Sequence, residues 1–214
     1  MARVFNSSGI RKTAGALAAT ALAAGAMVAG AAPASADTVL AVTYPVTDAS
    51  STYINSTDST VKLGPGEMKA RLTLETGALE SDLVLPPARG EFKQFGVIPV
   101  GVTITLLPTG PAVGQADPNT GAITATAKAH IKLSNLVVAG IPTPIGSYCK
   151  TETPATIPVA SEAGWDVVQG GTLSGTYTIP KFEHCLLATP LINLIVPGAG
   201  NKVSLKLGPG VFPS

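Results

Sequence analysis

The chain predicts an all-β domain, a β-sandwich or flattened barrel with one short apolar helix, and three observations point there. First, apolar side chains recur at every second position. Between Ile123 and Leu133 the odd positions are Ile, Ala, Ala, Ala, Ile and Leu, and the even ones are Thr, Thr, Lys, His and Lys. A period of two puts one face of a strand into a core and the other into water. Second, such stretches are short and separated by Gly and Pro, 23 and 18 of them, which punctuate turns. Third, residues 171–180 align without gaps on residues 77–86, pairing Leu173 with Leu79, Tyr177 with Leu83 and Ile179 with Leu85, and residues 203–209 answer 102–108. Residues 156–159 match 60–63 more weakly. An internal duplication, with halves at about 38–115 and 116–211, is one explanation; the other is that alternating aliphatics with Gly, Thr and Pro match by chance in any strand-rich chain. Two copies are too few for a solenoid, so either way one domain is expected.

Residues 1–36 read as an export signal. Arg3, Arg11 and Lys12 supply the basic start, residues 13–30 the Ala-rich apolar stretch, and Ala34-Ser35-Ala36 the small-x-small cleavage site. The mature chain, 37–214, then starts at Asp37 and has 178 residues, enough for a single domain with its own core. Its 13 acidic and 11 basic residues leave a net charge of −2, which argues against a nucleic-acid surface. No later run approaches the roughly 20 apolar residues of a membrane-spanning helix, so no transmembrane anchor is expected in the mature chain. The expected localisation is secreted, extracellular. A charged fraction of 13% is low for a globular protein, so Thr, Ser and Gly must form much of the surface.

The elements follow in order. Residues 39–44 make a first strand, and the polar stretch after it carries Asn55-Ser56-Thr57, a glycosylation sequon in form only. Residues 63–66 turn, and residues 69–75 alternate again, with Ala70, Leu72 and Leu74 facing inward. Pro86, Pro87 and Gly90 break the chain before a strand at 97–106, where Pro99 and Gly101 indicate an edge or a bulge. Asp117-Pro-Asn-Thr-Gly121 fits a turn better than a calcium loop, because one carboxylate without a closing Glu gives little cation affinity. After Leu133 a separate apolar stretch, 136–141, leads through a Pro- and Gly-rich loop to Cys149.

Cys149 and Cys185 are the only cysteines, and export to an oxidising compartment makes a disulfide between them the expectation. A Cys185 nucleophile activated by His184 is the disfavoured alternative, since neighbours along a strand point to opposite faces. The run from Leu186 to Pro197 is the longest apolar segment of the mature chain. Thr189-Pro190 starts a helix and Pro197-Gly198 ends it. Leu191, Ile192, Leu194, Ile195 and Val196 make the helix apolar nearly all round, so a buried plug is preferred. The second reading is a wall or lip for an apolar ligand or lipid, formed by Leu191, Ile192 and Ile195. Trp165, the only Trp, either fills the core or stacks on a ligand, and burial is preferred.

Few catalytic sets can be assembled. There is no HExxH, GxSxG, P-loop or CxxC, and no cofactor or metal site is expected. Ser174 lies between Gly171 and Gly175, at the wrong spacing for a nucleophile elbow. Glu80 and Asp82 share one face and could serve a hydrolase as acid and base, but Ser174 and Thr176 replace them in the aligned segment, as at solvent-facing positions. His130 falls on a polar face beside Lys128 and Lys132. The expected function is therefore a non-enzymatic extracellular or envelope-associated binding or structural protein. The alternatives are a secreted hydrolase using carboxylates and a protein that binds an apolar ligand or lipid through residues 186–197. The Ala-rich signal, residues 171–180, the lone Cys pair and residues 189–198 resemble secreted all-β proteins of high-GC Gram-positive (actinobacterial) bacteria. That likeness covers the whole chain, implies export and an all-β fold, and supplies no site residues to carry over.

Overall fold

The structure, a computed structural model, describes residues 37–94 and 96–213; the expected export signal at 1–36 lies outside the described residues. Alternation becomes strand after strand: β1 (Val39–Val46), β2 (Ser51–Ile54), β3 (Ser59–Lys62), β4 (Gly66–Thr73), β5 (Ala78–Val84), β6 (Ala88–Gln94), β7 (Ile98–Pro108) and β8 (Ala112–Ala116). Then come β9 (Ile123–Val138), β10 (Ile141–Pro142), β11 (Lys150–Thr151), β12 (Ala155–Ser161), β13 (Gly171–Ile179), β14 (Phe182–Glu183), the helix α1 (Thr189–Ile195) and β15 (Gly198–Leu207). The all-β class expected from the period-two pattern is what the chain adopts, with one short helix.

Eight strands hydrogen-bond in a ring, β1-β4-β5-β8-β9-β12-β13-β15, which returns to β1 where Val46 stands opposite Leu207. Thr47 N–H donates to Lys206 O and Gly208 N–H to Pro45 O, both at 2.9 Å, and complete the seam. Closure matters because an open edge would leave a row of unpaired amides and carbonyls. The ring is thus a barrel, within the sandwich-or-barrel expectation.

β9 outruns this ring. Its first residues pair with β8 and β12, and from Ala129 onward it pairs with β7, which in turn pairs with β6. On the far side β2 and β3 hang from β15, and β3 approaches β6. A second set of walls therefore surrounds the far half of β9.

The sequence divides β9 into two stretches, whereas the structure has one strand of 16 residues. The reason is a bulge. Gly101 faces Val137 and Thr103 faces Ser134, so β9 carries one extra residue there, and Asn135 takes the left-handed conformation at φ +50°. Asn tolerates that region better than most residues. The extra residue reverses the parity, so the buried positions change from odd (Ile131, Leu133) to even (Leu136).

A second irregularity lies between β13 and β15, where Gly200 at φ +81° lets β15 bulge. Buried Asn201 fixes it by donating to Tyr177 O at 3.2 Å and Gly198 O at 2.7 Å and accepting from Asn55 N–H at 3.1 Å. The two segments that align in sequence have different neighbours: β13 pairs with β15 along its length, while β5 pairs with β4 and β8, and β7 with β6 and β9. The described strands belong to one compact unit, Ala36–Ser214.

Candidate apolar binding cavity

The inner face of β9 explains where the ring is hollow. Ala125, Ala127 and Ala129 occupy three successive inward positions, and across the ring Ala70 and Ser81 are equally short. Methyl groups cannot reach the centre that Ile or Leu would fill, and a cavity of about 120 Å³ remains. Further along the same strand the inward residues become Ile131 and Leu133, and the second cavity is smaller, about 80 Å³. Leu63, Leu106, Ile157 and Val203 line both and form the partition between them.

The larger cavity is apolar except for Tyr44, Ser81, Trp165 and Lys128. Tyr44 donates its hydroxyl to Val167 O at 2.7 Å, and burial, with Asp166 adding to it, pushes its phenol up to about 12. The Trp165 ring lies 5.8 Å from that of Tyr44, tilted by 48°. Its backbone and ring pack against Gly171, where φ is +141° and a Cβ would stand 3.1 Å from Trp165 Cα. Trp165 Nε1 is buried without a hydrogen-bond partner among the described residues. In the smaller cavity the polar groups satisfy one another: Thr52 Oγ1 and the Tyr177 hydroxyl are 2.8 Å apart, and Thr57 Oγ1 and Ser59 Oγ 2.7 Å apart.

The larger cavity has an opening. β5 stays paired with β4 through Val84 but with β8 only from Ala78 to Ser81. Beyond Ser81 the wall is missing a partner strand, and there Leu83 and Leu85 line the cavity, with Pro108 at the end of β7 and Gly110 of the β7–β8 connection also lining it. Leu40, Leu72, Leu83 and Leu85 line the cavity and keep partial access to solvent. No known family model, curated protein or solved structure matches this chain.

Of the residues singled out in the sequence, Trp165 lines the larger cavity, half-buried. Leu191, Ile192 and Ile195 line neither cavity; their neighbour Val196 lines the smaller one. α1 is not buried all round as a plug would be. Ile192 is buried, Ile195 partly so, and Leu191 and Leu194 face solvent, because a helix of two turns lying on a wall has only one side to hide. Cys149 and Cys185 form the expected disulfide, so Cys185 is no free thiol. His184 is exposed, with Nε2 3.7 Å from Glu183 Oε2.

Glu80 and Asp82 do share a face, and the Arg71 guanidinium bridges them at 3.4 and 3.3 Å on the exposed outer surface. Asp117 Oδ1 accepts from the Asn119 and Thr120 amides at 2.8 and 3.2 Å, which holds its carboxyl below the usual range; the segment is a turn. His130 Nδ1 is 2.7 Å from Thr151 O, a tie of β9 to β11. Among the described residues no three His, Cys, Asp or Glu gather as a metal site requires, and no carboxylate or imidazole lines either cavity. The row of alanines on β9 is the signal that could have located the cavity. Alternation marks these positions only as inward and apolar and carries no information on volume.

Proposed function

We propose that the chain is an exported, non-enzymatic binding protein of the cell exterior or envelope that takes an apolar ligand into the ring. The observation that carries this reading is the cavity of about 120 Å³ with apolar walls and a gap beside Leu83 and Leu85. Apolar cavities of about 150 Å³ stay dry and accept a benzene-sized molecule, so the resting cavity suits a small apolar compound or the end of a longer chain. A longer ligand must displace the partition side chains at Leu106 and Ile157. Each methylene buried stabilises the complex by about 0.8 kcal/mol, against the freedom lost on association. The basic, apolar and small-residue regions of residues 1–36 support export, and the Cys149–Cys185 disulfide suits an oxidising compartment.

Titration of the chain from Asp37 with benzene, which matches the resting volume, and with the larger neutral dye Nile red, which must also displace the partition, tests the reading beside native mass spectrometry of the protein as secreted. Saturable binding at one site, or a co-purified apolar compound, is expected. Failure to take up benzene, Nile red or any retained compound would refute it.

A further inference from the structure

A second apolar feature lies outside both cavities. Leu187 and Leu194 are 98% and 79% exposed, Tyr148 is 76% exposed, and Leu186 and Leu191 also face solvent. The four leucines fall within residues 186–194. Leu191 and Leu194, three residues apart, share the face of α1 turned away from buried Ile192, and Leu186 and Leu187 lie in the 3-10 turn Leu186–Ala188 that leads into it. Tyr148 lies on the loop that the Cys149–Cys185 disulfide ties to this segment, and Gly146 of the same loop packs close to Leu186.

The exposure is built in and is not the result of a frayed end. Asn193 accepts from Phe182 N–H at 2.6 Å and donates to Phe182 O at 2.9 Å. Thr189 Oγ1 accepts from Cys185 N–H at 3.1 Å, and Ser56 donates to Val196 O at 2.8 Å. His184 and Leu186 are both held at left-handed φ, +56° and +55°, a conformation that costs free energy in residues with a side chain. A segment pinned this firmly with its leucines outward has a surface to meet.

Charge identifies that surface. The tip, 185–197, has no charged residue. Beside it Lys150 stands directly opposite Lys132 on one adjacent strand and Glu183 on the other, so the row Lys132, Lys150, Glu183 keeps a net positive charge. Lys181 and His184 continue the basic rim, against Glu152 and Glu183, the latter within reach of His184. Protein interfaces favour Trp, Tyr and Arg anchors in pockets and under-use Leu. Protruding leucines with a tyrosine and lysines at their base instead match segments that enter the headgroup layer.

We propose that the Leu186–Leu194 tip, with Tyr148, docks on an anionic lipid bilayer. This stands independently of cavity binding, although Val196 at the end of the helical segment lines the smaller cavity and would be brought near the membrane.

The test is flotation of the chain from Asp37, disulfide intact, with vesicles of phosphatidylglycerol and phosphatidylcholine or of phosphatidylcholine alone. The parent should bind the anionic vesicles, and Leu187→Asp with Leu194→Asp should weaken this by about tenfold or more at an unchanged melting temperature. Lys150→Gln with Lys181→Gln should remove the preference for the anionic lipid. Leu187→Gln repeats the test at a side chain that touches almost nothing, should the double variant fold poorly. No parental binding, or binding by Leu187→Gln and the double variant as strong as the parent's, would overturn the proposal. A parent that dimerises through the tip without binding vesicles would do the same. Nile red uptake, measured in parallel, reports separately on the cavity.

Discussion

Tyr44 shows what a single inward residue does here. It lies on β1 with its ring against Trp165 and its hydroxyl donating to Val167 O, 123 residues away. The folded phenol is raised to about 12 from an ordinary 10, so folding favours the protonated form. That contribution to stability is complete below pH 10 and is lost as the pH rises toward 12. Urea unfolding at a series of pH values should show the decline. Tyr44→Phe should lower stability at pH 7 by about 1 kcal/mol through the lost hydrogen bond and flatten the alkaline slope. Some slope must remain, because burial also raises Tyr177, with its hydrogen bond to Thr52 acting in the opposite direction. The sequence marks Tyr44 and Trp165 as aromatic side chains in a chain poor in them. Their partnership depends on a tertiary meeting that no local pattern encodes.

At the scale of elements, alternation locates the start of β9 and its inward residues as far as Leu133, then fails at Asn135. A bulge is one residue whose effect is to reverse parity, so a strict period-two reading must end there. α1 is legible at both ends, in Thr189-Pro190 and Pro197-Gly198, but its orientation is not. When a helix is apolar on every side, periodicity cannot say which side meets the protein. What fixes the orientation is the set of ties at Asn193, Thr189 and the disulfide. The Cys149–Cys185 bond closes a loop of 36 residues, and its loss should cost about 4 kcal/mol through the gain in unfolded-chain entropy. Urea unfolding of Cys149→Ser with Cys185→Ser should give that decrease, and an unchanged midpoint would mean that the hydrogen bonds alone hold the segment. The same variant should show faster amide exchange at α1 than in the ring strands, since the ties left are few.

Across the whole molecule, ring closure joins β1 to β15 from opposite ends of the described chain, and nothing local in residues 39–46 or 198–207 specifies that partner. The cavity follows from closure together with residue volume, since the inward alanines of β9 leave space only when strands surround them. One substitution made at two neighbouring sites tests this arrangement. Ala127 faces Ile157 across the β9–β12 pair and lines the larger cavity, while Ala155 faces Ala129 and is 1% exposed, lining neither cavity. Ala127→Leu places an isobutyl group in vacant apolar space, so stability should hold or rise by about 1 kcal/mol, as cavity filling does. Nile red binding should be lost, because the space it needs is occupied. Ala155→Leu forces the same group into packed core and should cost about 1–3 kcal/mol while the cavity itself stays open. Urea unfolding with dye titration of both variants reads all four outcomes. Equal destabilisation by the two would mean that the ring interior is packed at Ala127 as it is at Ala155, and the cavity could then hold no ligand.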